Sequence, residues 1–270
     1  MQTLKEKNID YKGASLHYTV NGTGSPVVLL HGFGEDSSVW HFQVTALQND
    51  YMVIVPDLPG SGKSSFLDSE SIRMEDYADC IKRILDEEVI EKCIMIGHSM
   101  GGYITLAFAD KYTLSLTAFG LFHSSAYADD DEKVQVRKKA IDFIEKNGGP
   151  AFLKTSIPPL FFDAEKNEYD IEMLLEKSNN FTAKALIQYY QAMISRPDRT
   201  EFLKMTPLPV LFIIGQHDKA VPFNHGLEQA KMPGHSYVHI LRNSGHMGML
   251  EETVNSNKFL ADFLKMIDLK

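Results

Sequence analysis

The chain is poor in the residues that staple or anchor a protein. Two cysteines, Cys80 and Cys93, stand among 270 residues, too few to define a disulfide framework. A single bridge between them stays open. Cys93 lies in an apolar run and reads as a small core residue, and Cys80 lies in a helical pattern from Tyr77 to Leu85. No apolar run approaches the roughly 18 residues needed to cross a bilayer. The opening residues, Met1-Gln2-Thr3-Leu4-Lys5-Glu6-Lys7-Asn8, lack an apolar signal core, so a cytoplasmic location is expected. Positive charge is also in deficit: 27 Lys and Arg against 36 Asp and Glu give a net charge of −9. That balance argues against nucleic acid and anionic membrane surfaces as partners. The ten histidines form no H-E-x-x-H pair and no clustered Cys/His spacing, so neither a metal nor another cofactor is expected.

What is present suits one large α/β domain with an insertion. Hydrophobic residues make up 44% of the chain, enough for a sizeable core. Residues 9–20 alternate weakly around a turn at Gly13 and predict an edge hairpin. Continuous apolar runs follow at 27–30, 52–55, 93–96, 116–122, 210–214 and 237–241. Such runs suit strands buried on both faces of a parallel sheet. Helical patterns fall between them at 40–48, 74–87, 100–112 and 224–231, and one closes the chain at 253–267. The alternation predicts a mostly parallel central sheet flanked by helices.

One interval breaks the rhythm. Almost ninety residues separate the sixth strand, ending near Phe122, from the strand that starts at Val210, whereas such connections are normally a few residues long. Helical patterns at 132–147, 165–178 and 181–194 are broken apart by Gly148-Gly149-Pro150 and Pro158-Pro159. The interval 124–200 is therefore expected to be a helical cap over the site, with 1–123 and 201–270 forming the core. His123, Tyr189, Tyr190 and Met193 are the candidate pocket residues, each weighed against simple packing.

The chemistry-bearing motif is Gly97-His98-Ser99-Met100-Gly101, between the apolar run Cys93-Ile94-Met95-Ile96 and a helical pattern. G-x-S-x-G at a strand-to-helix junction exposes the serine on a strained turn. A serine hydroxyl is a weak nucleophile and needs a base, which in turn needs an orienting carboxylate. The run 210–214 leads to Asp218, and the run 237–241 leads to His246. Ser99, Asp218, His246 is the chain order of such a triad. The turn after Phe122 holds no carboxylate, and Asp129 comes several residues too late to serve. His31-Gly32-Phe33-Gly34 follows another apolar strand, so the backbone N–H groups of Phe33 and Met100 are the expected oxyanion donors. His31 is expected to hold that loop by hydrogen bonds, His98 to be structural, and His217 to be a solvated loop residue.

These pieces, with Asp57-Leu58-Pro59-Gly60-Ser61-Gly62-Lys63-Ser64, Val221-Pro222 and Gly245-His246, resemble the α/β-hydrolase family over nearly the whole chain. The resemblance implies the α/β-hydrolase fold. It is nearest to small bacterial carboxylesterases, including pimeloyl-carrier-protein methyl ester esterases, and to enol-lactonases. It implies a serine hydrolase whose partner is a small-molecule ester, thioester or lactone. The alternative is a receptor or signalling protein of the same fold with slow or no turnover. Dehalogenases and epoxide hydrolases of this fold carry aspartate where Ser99 stands. Carbon–carbon bond hydrolases often carry asparagine where His98 stands. Gly62-Lys63-Ser64 imitates a phosphate loop, but the position that needs the first glycine holds Asp57, so a tight turn is expected there.

Overall fold

The computed structural model describes residues 5–69 and 71–268. Eight strands form one sheet: β1 (Lys5–Tyr11), β2 (Ala14–Asn21), β3 (Ser25–Leu30), β4 (Tyr51–Pro56), β5 (Cys93–His98), β6 (Leu116–Phe122), β7 (Val210–Gly215) and β8 (Ser236–Leu241). Their spatial order is β1-β2-β4-β3-β5-β6-β7-β8. The two β2 pairings, with β1 and with β4, are antiparallel, and all the others are parallel. β5 is buried at every position, as expected for an Ile/Met run covered on both faces.

The helices up to the sixth strand are α1 (His41–Leu47), α2 (Met74–Glu87) and α3 (Met100–Lys111). After β6 the chain leaves the sheet for α4 (Asp131–Asn147), α5 (Gly149–Ser156), α6 (Glu168–Ser178), α7 (Ala183–Ile194) and α8 (Thr200–Met205). α9 (Phe223–Gln229), α10 (Gly248–Glu251) and α11 (Thr253–Asp268) complete the fold. This is the α/β-hydrolase fold that the motifs imply.

Three short helices, α5, α8 and α10, escape the sequence patterns. Gly148-Gly149-Pro150 does end α4, but Pro150 then sits in the first turn of α5, where its missing N–H costs nothing. A second difference concerns β8. The run 237–241 predicts burial on both faces, yet Val238 and Ile240 are 41% and 37% exposed. β8 is the last strand of the sheet, and α11 covers only one of its faces, with Tyr237 against Phe263 at 5.4 Å and His239 stacked on Phe259 at 4.1 Å. Cys80 and Cys93 are both buried free thiols, so the bridge left open above does not form. No helix among the described residues is long and apolar enough to cross a membrane.

The geometry that places the site is the approach of α3 to β5. A β-carbon on Gly97 would lie 2.1 Å from the Gly101 carbonyl oxygen, and one on Gly101 would lie 2.5 Å from that of Leu30. Both contacts are with backbone, which cannot swing aside. Gly97→Ala is therefore expected to cost about 1–3 kcal/mol through overpacking, read as a lower midpoint in chemical denaturation. An unchanged midpoint would mean that strand and helix separate without penalty.

Candidate active site

Ser99 sits between β5 and α3 with φ +50° and ψ −115°, outside the backbone regions that a serine normally occupies. Such strain persists only where surroundings hold it. Ser99 N–H donates to the Phe122 carbonyl at 3.0 Å, and the Ser99 carbonyl accepts from Gly102 N–H at 2.9 Å and the Ser124 hydroxyl at 2.7 Å. With its backbone fixed, the half-buried Ser99 side chain lines a cavity of about 310 Å³ together with His246.

Asp218 and His246 come from the loops after β7 and β8. His246 Nδ1 lies 2.8 Å from Asp218 Oδ2. The other carboxylate oxygen accepts from the N–H groups of Ala220 and Val221 at 2.8 and 2.9 Å. Burial opposes the charge on Asp218, but His246 and His123 outweigh it and hold the carboxyl well below its usual range. An ionised Asp218 takes the Nδ1 proton as a hydrogen bond, which leaves Nε2 as the basic nitrogen of His246. Asp129 is committed elsewhere: it binds Arg137 at 2.5 Å and Arg196 at 2.8 Å.

His123 is not a pocket residue. Its φ of +48° turns the ring beneath Asp218, with Nδ1 3.0 Å from Gly215 N and 3.4 Å from Asp218 Oδ2, and Nε2 3.2 Å from Gly248 N. β-Carbons on Gly215 or Gly248 would strike it. Burial pushes this imidazole down to about 4, so it is neutral. Tyr189 is also absent from the cavity wall: it is fully buried and its hydroxyl donates to the Pro59 carbonyl at 2.8 Å. Tyr190 and Met193 do line the cavity, and Tyr190 stacks on Phe33 at 4.3 Å.

The loop His31-Gly32-Phe33-Gly34 is tied down from two sides. His31 Nε2 accepts from Leu58 N–H at 2.9 Å, so the proton resides on Nδ1 and is donated to the Gly32 carbonyl at 2.9 Å. On the other side Gly32 N–H donates to the buried Glu35 carboxylate at 2.7 Å, and His98 Nδ1 lies 3.0 Å from that same carboxylate. His98 Nε2 then donates to the backbone carbonyl of His246 at 2.8 Å. Burial opposes charge on both Glu35 and His98, but each partner outweighs it: the carboxyl is lowered and the imidazole raised. The pair is ionic, and it links the loop of Phe33 to that of His246.

Glu251 anchors the His246 loop from beneath. Its carboxylate accepts from the N–H groups of Phe162, Gly245 and Met247 at 2.7, 2.8 and 3.1 Å, and burial pushes it up to about 7. Neither Glu35 nor Glu251 is signalled by spacing. Their partners lie far off in sequence or are plain amides. The Gly62-Lys63-Ser64 stretch wraps Asp57, which accepts from the N–H groups of Lys63 and Ser37 at 2.8 and 2.9 Å. His217 stacks on Phe162 at 3.7 Å. No group of three or more His, Cys, Asp or Glu placed to hold a metal ion occurs among the described residues.

A sequence model described as the Alpha/beta hydrolase family matches residues 27–256. The chain belongs to that family. It is 28% identical to the 2-hydroxy-6-oxononadienedioate/2-hydroxy-6-oxononatrienedioate hydrolase of Paraburkholderia phymatum, over 97% of this chain and 96% of that one. It is 25% identical to the pimeloyl-[acyl-carrier protein] methyl ester esterase of Legionella pneumophila, over 93% and 100%. A thermophilic esterase from Thermogutta terrifontis superposes with a TM-score of 0.91 at 27% identity, covering 97% of this chain and 99% of its own. This α/β hydrolase is an enzyme that acts on esters or related substrates.

Tyr189→Ala should lower stability by about 3–5 kcal/mol with its acyl-chain preference unchanged, whereas Tyr190→Ala should alter that preference; p-nitrophenyl esters of graded length and thermal melts separate the two. For the ion pair, Glu35, ordinarily near 4.5, is lowered, so its contribution is present above that value and fades as pH falls through the lowered one. His98, ordinarily near 6.5, is raised, so its contribution is present below that value and fades as pH rises through the raised one. Glu35→Gln should cost about 1–3 kcal/mol and flatten both edges of the stability profile. A profile parallel to the parent's would mean that the pair is not ionic.

Proposed function

We propose that the enzyme hydrolyses small carboxylic esters, or the related thioesters and lactones, through an acyl-enzyme on Ser99. The observation that carries this reading is the 2.8 Å contact between His246 and Asp218 beside a strained serine in one cavity. The named esterases among its relatives support it.

The Ser99 oxygen attacks the acyl carbon while His246 Nε2 takes its proton. Asp218 stabilises the imidazolium that results. The backbone N–H groups of Phe33 and Met100 bind the oxyanion. Collapse of the tetrahedral intermediate breaks the bond to the leaving alcohol, which departs with the proton from His246. Water then attacks the acyl-enzyme, His246 accepts its proton, and the carboxylic acid leaves as Ser99 regains a proton. The helical segment 124–200 acts as the cap that shapes the acyl pocket, with Tyr190 and Met193 on its wall.

Ser99→Ala should abolish labelling by a fluorophosphonate and reduce ester hydrolysis by several orders of magnitude. Asp218→Asn should leave the fold intact and reduce kcat strongly, because the histidine loses its preferred tautomer. An adduct mapped by mass spectrometry to another serine would overturn the assignment.

A further inference from the structure

The charges around the catalytic cavity do not follow those of the whole chain. The protein carries a net charge of −9, yet Lys133, Arg137 and Lys219 line the cavity that holds Ser99 and His246, with Glu35 as the one carboxylate on its wall. Glu35 is already bound to His98. The cations differ in how far they are neutralised. Asp129 is fully buried at its side chain and engages both Arg137 and Arg196. Lys133 and Lys219 form no ion pair among the described residues. The half-buried Lys133 of α4 donates from Nζ only to the Ala220 carbonyl, at 3.2 Å, among the described residues. Lys219 follows Asp218 directly in the chain.

The two lysines therefore stand on opposite sides of one seam. Lys133 descends from α4, and Lys219 rises from the loop that carries Asp218. Both also line a neighbouring cavity of about 450 Å³ that lacks Ser99 and His246. The carboxylates of that second cavity, Asp130 and Glu228, do not line the catalytic one. Tyr103 reports the local field. It lines the catalytic cavity, and although burial opposes ionisation of its phenol, Arg196, Lys133 and Arg137 outweigh burial and lower it. An anion at this end of the cavity meets two ammonium groups, that of the half-buried Lys133 and that of the exposed Lys219, and charge-assisted contacts with them are stronger than neutral hydrogen bonds. A positive cleft in an acidic protein also concentrates anionic ligands.

We propose that Lys133 and Lys219 form a carboxylate subsite, and that the substrate is the half-ester of a short dicarboxylic acid, its ester carbonyl at Ser99 and its free carboxylate between the two lysines. This inference rests on the ester-hydrolase reading above. A cavity of about 310 Å³ has room for an acyl chain of a few carbons and a terminal carboxylate. Hydrolysis of monomethyl glutarate then consumes water and releases methanol and glutarate, with the second carboxylate unchanged throughout.

The test compares kcat/KM for monomethyl and dimethyl glutarate, which share one chain and differ in the distal charge. The wild type should favour the monoester. Lys133→Glu and Lys219→Glu should each lower the monoester-to-diester ratio by about tenfold, and added salt should lower it in the wild type. A ratio unmoved by both substitutions, or a wild type that favours the diester, overturns the subsite. Methyl 4-phosphonobutyrate is run in parallel, and a preference for it over monomethyl glutarate overturns the choice of carboxylate. Calorimetric titration with glutarate tests the subsite apart from turnover. Binding that weakens about tenfold in either variant supports it, and absent or unaltered binding overturns it. Loss of fluorophosphonate labelling at Ser99 in the wild type marks failure of the hydrolase reading, whereas intact diester hydrolysis without charge preference marks failure of the subsite alone.

Discussion

The first turn of α3 touches the strand that leads into it, and much of the proposed catalytic geometry depends on that contact. Backbone meets backbone at Gly97 and Gly101, so the chain reverses within one residue and that residue is Ser99. Its left-handed φ of +50° is held by the Phe122 carbonyl on one side and by Gly102 N–H on the other. A serine in an ordinary strand-helix loop would relax to a common backbone angle and lose its place in the cavity. Here relaxation would break hydrogen bonds on both sides of the turn at once.

Around this turn two buried acids, Glu35 and Asp218, are each paired with histidine. His98 and His123 are both fully buried, and burial presses both toward neutrality. His98 nonetheless rises, because Glu35 faces it at 3.0 Å and the His246 carbonyl accepts from its other nitrogen. His123 falls to about 4, because burial outweighs the pull of Asp218 at 3.4 Å, whose carboxylate also serves His246 at 2.8 Å. A second imidazolium beside one carboxylate would be a repulsion rather than a bond. The neutral His123 ring thus supports Asp218 from below without competing for its charge. Asp218 remains free to stabilise the one imidazolium that the proposed reaction creates.

Sequence patterns resolve whatever depends on neighbours along the chain. The elbow, the strand runs, the hairpin at Gly13 and the order serine, acid, histidine are all local or ordinal. The edge position of β8 is neither. Its residues 237–241 pass for a continuous strand run, and the sheet order shows that one face lies open. Glu35 is likewise silent, since its ionic partner lies 63 residues away. His123 follows a strand at the end of the sheet where ligands usually bind, and its positive φ, which no neighbouring residue announces, turns it inward. The candidate oxyanion loop was legible as a glycine turn, whereas its tie to His246 through His98 spans 148 residues.

Tyr189 and Tyr190 show how one helix faces both the core and the cavity. Adjacent helical residues point in directions about 100° apart, so α7 presents one tyrosine to the core and the next to the cavity. Tyr189 bonds the Pro59 carbonyl, and Gln188 bonds that of Leu67 at 2.9 Å. Leu58, beside Pro59, donates its N–H to His31, and His31 holds Gly32. The cavity wall at Tyr190 and the loop of Phe33 therefore rest on the same support, the turn built around Asp57. Tyr190 and Phe33 then stack directly across the cavity rim. An acyl group that pushed α7 outward would strain the loop proposed to bind its oxyanion. In the proposed reaction, the fit of the acyl group and the stabilisation of the oxyanion are therefore mechanically one constraint.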